Sequence, residues 1–134
     1  MDVLTNKTIL IVEDDADMRE VFRLVLEAAG AKVITAESVE AALKIHRKSP
    51  PQAVITDIQL GSSDGYALIT AIRKNDAKYR GFTTVVAVTG FGSPEDKTRA
   101  LAAGFNAYIT KPFEVAEVVH TLGKLLRPAS DSAA

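Results

Sequence analysis

No cysteine occurs in the 134-residue chain, so neither a disulfide nor a thiolate metal site can organise it. Long apolar runs are missing too. No segment approaches the roughly 20 apolar residues that span a bilayer, and the N-terminal "MDVLTNK" lacks the apolar stretch of a signal peptide. The expectation is a cytoplasmic protein with no membrane insertion. A formal net charge of −1 leaves no basic excess for a nucleic-acid backbone, and the lysines and arginines read as scattered rather than clustered. No direct nucleic-acid partner is therefore expected.

What is present is enough for one buried core: 47% of the residues are hydrophobic and 25% charged, over a length too short for two ordinary domains. Short β-branched or aromatic runs recur at "TILIV" (Thr8 to Val12), "KVITA" (Lys32 to Ala36), "AVIT" (Ala53 to Thr56), "VVAV" (Val85 to Val88) and "AYIT" (Ala107 to Thr110). They read as five strands buried on both faces. Between them lie helical patterns. Met18, Val21, Phe22, Val25, Leu26 and Ala29 form one apolar stripe, closed by Gly30. "SVEAALKIHRKSPP" starts a second helix at Ser38 and stops it at Pro50 and Pro51, with His46 assigned to its surface. "DGYALITAIRKN" gives a third. In "SPEDKTRALAAG", Ser93 is the N-cap, Pro94 opens the helix, Asp96 completes a capping box and Gly104 follows the end. A fifth helix spans about Glu114 to Arg127 with Val115, Val118, Val119, Leu122, Leu125 and Leu126 inward, and "PASDSAA" trails as a polar tail.

Alternating strands and helices imply right-handed crossovers and a parallel sheet covered on both faces. Ligands of such sheets bind beyond the carboxyl ends of the strands, at the switch point. There the sequence places Glu13, Asp14 and Asp15 after the first strand, Asp57 after the third, Thr89 and Gly90 after the fourth, and Lys111 and Pro112 after the fifth. Singly these residues have ordinary explanations, and Asp15 reads equally well as a helix cap or solvated acid. Together, carboxylates so close repel one another unless one takes a proton or a cation joins them. Mg²⁺ suits such a set, since it accepts a few carboxylates, keeps several waters and takes a phosphate oxygen. Lys111 balances the anion from the other side.

The motifs "ILIVEDD", "VITDIQLGSSDGYALI", "VVAVTG" and "AYITKPF" stand in an order and spacing that resemble the receiver domain of two-component response regulators. The likeness covers about Lys7 to Leu126, so residues 1–6 are expected as a lead, 7–127 as the receiver domain and 128–134 as a tail. The resemblance implies a flavodoxin-like doubly wound (βα)5 α/β fold, with a five-stranded parallel sheet of order 2-1-3-4-5. It implies Asp57 as phospho-acceptor and Lys111 and Thr89 as its catalytic partners, with Thr89 and Tyr108 as the switch pair. The implied Mg²⁺ shell is Asp14, Asp57 and the backbone carbonyl of Gln59, with Glu13 acting through water and Asp15 surplus. A cis Lys111–Pro112 bond is also implied.

By the same likeness, the chain is a phosphorylation-dependent switch rather than an enzyme acting on other substrates. No Walker motif or kinase glycine loop is present, so the phosphoryl donor comes from outside, and the resemblance implies a phosphohistidine on a histidine kinase or histidine phosphotransfer protein, or a small acyl phosphate. Its target reads a face made by the fourth helix, fifth strand and fifth helix, and a homodimer is left open. The chain departs from the family pattern at Gly61, followed by Ser62 and Ser63, where a proline is usual, and a more flexible loop is expected there. Phe91, two residues past Thr89, is expected to hinder a hydrolytic water. A stand-alone regulator is favoured over a receiver excised from a hybrid histidine kinase or longer regulator. An aspartate-nucleophile phosphatase would need an acid where Gln59 stands, and a flavodoxin-like FMN binder would have its phosphate repelled by the acids. His120 in "HTLGKLL" is set aside because a phosphotransfer histidine belongs on a four-helix bundle.

Overall fold

The computed structural model describes residues 3–60, 63–90 and 92–126. Gly61, Ser62, Phe91 and residues 127–134 lie outside these, and with them the expectations about the departing loop, the hydrolytic water and the tail. Five strands form one parallel sheet: β1 (Thr8–Val12), β2 (Lys32–Ala36), β3 (Ala53–Asp57), β4 (Thr84–Thr89) and β5 (Ala107–Thr110). Their spatial order is β2-β1-β3-β4-β5, as the resemblance implies. The register sets Ile9 against Val33 and Ala53, Ala53 against Thr84, and Val86 against Ala107. Five helices connect and flank the strands: α1 (Ala16–Ala28), α2 (Val39–Lys48), α3 (Gly65–Tyr79), α4 (Pro94–Ala103) and α5 (Val115–Leu125).

Side-chain alternation along the strands divides the core in two. Leu10, Val12, Val54, Val85 and Ala87 point to the side covered by α2, α3 and α4, where they meet Ala42, Leu68, Ile69, Ile72 and Ala100. Ile9, Ile11, Ile55, Val86 and Val88 point to the other side and meet Phe22 and Leu26 of α1 and Val118 and Leu122 of α5. Burying each such aliphatic side chain contributes about 1.5–3 kcal/mol, so the inner strands are the most firmly held. β2 and β5 are not buried on both faces as expected. They are the edges of the sheet, and residues such as Lys32, Thr35 and Thr110 remain exposed.

The helix ends follow local chemistry. Asp15 caps α1, accepting from the N–H groups of Asp17 and Met18 at 2.9 and 3.1 Å. Ser93 and Asp96 form the expected capping box, and Gly104 closes α4 in the left-handed region at φ 116°. Helix α3 runs four residues past the expected Asn75, to Tyr79, and is capped by Arg80, also left-handed at φ 57°. Two stripe residues expected inside, Val21 and Leu125, are exposed, because the covered face of each helix is narrower than its apolar stripe. Leu4, in the expected lead, is fully buried and donates its N–H to the carbonyl of Ala29 at 2.9 Å.

His46 is the main correction. It is wholly inaccessible rather than at the surface, because Thr83 and Asn75 supply partners inside, each at 2.8 Å from one ring nitrogen. The Asn75 amide nitrogen can only donate, so Nδ1 accepts and Nε2 carries the proton toward the Thr83 hydroxyl. That hydroxyl in turn donates to Asp76 at 2.9 Å. Burial first, and then the Arg73 charge, hold His46 below the usual histidine range, against the pull of Asp76. Arg73 extends the network. Its guanidinium donates to Asp76, to the carbonyls of Thr83 and Gly104, and to Asn106. One polar cluster thus ties α2, α3, the start of β4, the end of α4 and the start of β5.

Candidate functional site

The parallel sheet delivers the chain's acids to one edge because every strand leaves the core at its carboxyl end there. Glu13 is the residue after β1. Its N–H donates to the carbonyl of Ala36 at 3.0 Å, and its own carbonyl accepts from the Arg19 guanidinium at 2.8 Å. Its carboxylate accepts from the N–H of Asp15 at 3.2 Å, and only 5% of the residue is exposed. Asp14 beside it faces solvent. Asp57 ends β3 with its side chain 11% exposed.

Lys111 follows β5 and brings charge of the other sign. Its N–H donates to the carbonyl of Thr89 at 2.7 Å, which fixes the start of the side chain. Its ammonium then donates to Asp57 Oδ2 at 2.6 Å and lies 4.0 Å from Glu13 Oε1. The Lys111–Pro112 peptide is cis. Beyond it Phe113 stacks on Phe22 of α1 at 5.6 Å between ring centres, which packs the loop against the body of the domain. Partial burial draws the Lys111 ammonium down. The hydrogen bond and charge of Asp57, with the charges of Glu13 and Asp14, outweigh that and hold it above the usual lysine range. It therefore stays protonated at neutral pH.

Glu13 carries the largest perturbation among these acids. Its carboxyl is raised to about 7, chiefly by burial, then by a carboxyl–carboxyl hydrogen bond with Asp14 and the charge of Asp57. The Asp15 N–H and Lys111 pull the other way without cancelling it. A set of hard oxygen donors gathered at one strand edge, with one carboxyl buried beside two others, fits a divalent cation. Among the described residues no three His, Cys, Asp or Glu side chains form a cage on their own. The expected shell does not require one, since it combines two carboxylates with the Gln59 carbonyl.

Thr89 ends β4 at 1% exposure. On β5 next to it Tyr108 pairs in register with Ala87, and Thr89 with Thr110. Alternation therefore puts Thr89 and Tyr108 on the same side of the sheet, the side covered by α3 and α4. The Tyr108 hydroxyl is buried with no hydrogen-bond partner among the described residues. Burial raises its phenol above the usual range, and the nearby Asp96 and Tyr66 add to the effect.

The structure thus places Glu13, Asp57 and Lys111 within reach of one another, with Thr89 and Tyr108 on adjoining strands. Asp15 is occupied as a cap, and His120 lies away on the exposed side of α5. Two participants escaped the sequence reading. Arg19 grips the Glu13 backbone and lies 3.9 Å from Glu37. Gly65 begins α3 directly against the acceptor: a side chain there would meet the Asp57 carbonyl oxygen and Ile58 Cα at 2.9 Å. The signal for Gly65 was the "SSDG" run itself, in which a small polar cap precedes glycine. Gln59–Leu60 and Ser63–Asp64 pair there as a short antiparallel hairpin that was not expected.

Residues 9–123 match the family model of the response regulator receiver domain. The chain belongs to that family. Receiver domains are the phosphorylation-dependent switches of two-component signalling, and response regulators partner with histidine kinases. The chain is 34% identical over 120 residues to a 14.6 kDa protein of Leptolyngbya boryana, covering 89% of each. It is 31% identical over 124 residues to the phosphate regulon transcriptional regulatory protein PhoB of Pseudomonas aeruginosa, covering 92% of this chain and 53% of that protein. Against the chemotaxis response regulator CheY4 of Vibrio cholerae the TM-score is 0.83 at 29% identity, covering 91% of this receiver and all of that chain. The receiver spans about half the length of the transcriptional regulators it matches. Among the described residues no helix is long and apolar enough to cross a membrane.

Proposed function

We propose that this receiver takes a phosphoryl group on Asp57 from a phosphohistidine on a kinase or phosphotransfer protein, and that the modified domain presents a changed surface to a target. The observation that carries the reading is the Lys111 ammonium held 2.6 Å from Asp57 at the switch-point edge, beside the buried acid Glu13. A carboxylate oxygen of Asp57 attacks phosphorus in line. A P–O bond forms as the P–N bond to the donor imidazole breaks, and the product is an acyl phosphate. Lys111 offsets the charge gathering on the phosphoryl oxygens. Asp14, Asp57 and the Gln59 carbonyl, with Glu13 through water, are the groups that would hold Mg²⁺, which when bound supplies further charge neutralisation. Gly65 lets α3 start close enough to keep the Asp57 backbone fixed.

The switch is part of the same proposal. The phosphoryl oxygens draw in the Thr89 hydroxyl, and Tyr108 moves into the space this frees, shifting a population between two states. Tyr108 is suited to such a role because its buried hydroxyl has no hydrogen-bond partner among the described residues, an arrangement that costs about 1–3 kcal/mol. The face formed by α4, β5 and α5 then changes. Exposed Leu101 and Leu125 on its two helices give a target apolar surface to grip. Trapping the acyl phosphate with borohydride and mapping the reduced residue tests the assignment. Reduction at Asp57 is the expected result, and reduction at another acid would overturn it.

A further inference from the structure

The fold gathers cations that look scattered in the sequence. Between α2 and α3 lies a groove of about 260 Å³ lined by Leu43, Arg47, Ala71, Lys74, Asn75 and Lys78. Its floor is apolar, its rim carries positive charge, and no acid lines it. Arg47, Lys74 and Lys78 are exposed, and among the described residues none of them has an ion-pair partner within 4.0 Å. Three other cations, by contrast, have carboxylate partners within the chain: Arg23 pairs with Glu20 and Glu27, Arg73 with Asp76, and Lys111 with Asp57.

Late helical positions favour cations through the helix dipole, which accounts for Arg47 and Lys78 near their helix ends. It does not account for Lys74, which lies ahead of the last turn of α3 and one turn before Lys78, an arrangement of like charges that an isolated helix resists. Something negative outside the chain would relieve it.

We infer that this groove is a docking site for an acidic, amphipathic segment of a protein partner, whose carboxylates meet Arg47, Lys74 and Lys78 while an apolar side chain settles on Leu43 and Ala71. A nucleic-acid backbone fits less well, because the apolar floor offers nothing to a phosphate and the chain as a whole is net negative at −1. The groove is formed by the later turns of both helices. These run back from the phosphoryl site toward the amino ends of the strands, so a partner bound here leaves Asp57 open to its donor.

The test uses a fluorescein-labelled helical peptide with a glutamate-rich face and one row of leucines, titrated against the intact chain by anisotropy at low and near-physiological salt. A leucine-to-serine version and a single-stranded oligonucleotide of equal charge are run beside it. Saturable binding by the first peptide, with NMR shifts confined to α2 and α3 and a loss of about tenfold or more in the Lys74→Gln/Lys78→Gln variant, is the expected result. Circular dichroism melting verifies that the variant is folded, and neither lysine belongs to the phosphoryl site. Three results would overturn the inference: no saturable binding, an affinity the variant leaves unchanged, or equally tight binding of the serine peptide or the oligonucleotide.

Discussion

The Lys111 ammonium touches the acceptor, at 2.6 Å from Asp57. Its removal should therefore be felt in the rate of phosphoryl transfer before anything else. Lys111→Ala is expected to slow labelling by about a hundredfold, the usual effect of deleting a preorganised charge-stabilising donor. Initial rates of mass gain with acetyl phosphate measure it, and a rate within about twofold of wild type would argue against the role. Tyr108 gives a prediction of opposite sign. Tyr108→Phe deletes a buried hydroxyl that has no partner among the described residues, so it should raise stability by about 1 kcal/mol in urea unfolding. A loss of stability would mean that the hydroxyl is satisfied in solution. Residues of this kind were legible in the sequence because strand ends are where such a sheet displays its chemistry: Glu13, Asp57, Thr89 and Lys111 each follow or close an apolar run. Arg19 was not legible, because its part depends on a long side chain reaching back to the Glu13 carbonyl.

Elements were legible where local chemistry sets them and less so where neighbours do. The box of Ser93 and Asp96, the Gly104 end and the Asp15 cap are all local, and the structure has them. The edge exposure of β2, the outward turn of Val21 and the extension of α3 depend on which elements lie alongside. His46 failed for the same reason: in "IHRK" it sits among cations, while its partner Thr83 lies 37 residues further on. Because its folded pKa is depressed, the unfolded chain binds a proton more readily than the folded one. The stability this residue contributes is therefore present above the unfolded value of about 6.5 and is lost as pH falls below it. The raised Glu13 carboxyl works in the opposite direction over the same window and does so equally in both proteins, so urea midpoints between pH 7.5 and 5 should change less favourably on acidification in the wild type than in His46→Gln, and parallel slopes would rule the network out as a cause. In the core itself, Ile72→Ala removes a fully buried side chain and should cost about 2–5 kcal/mol in the same assay.

At the scale of the molecule, one sheet with two apolar faces leaves its chemistry at the two ends of the strands. The carboxyl end collects Glu13, Asp57, Thr89 and Lys111, while the amino end carries the His46, Asp76 and Arg73 network, with the basic groove between α2 and α3 beside it. Helix α3 joins the two regions, beginning against the Asp57 backbone at Gly65 and ending in the cationic half of the groove. The sequence showed the first end and not the second, because cations spread over two helices become neighbours only once those helices pack. The central claim is that Asp57 is the phospho-acceptor of a metal-assisted switch. Intact mass after incubation with acetyl phosphate, with and without Mg²⁺, for the wild type and Asp57→Asn, tests it most directly. The account predicts a gain of one phosphoryl group in the wild type only when Mg²⁺ is present, and none in Asp57→Asn. An equal gain in Asp57→Asn, or one in the wild type that ignores Mg²⁺, would contradict it.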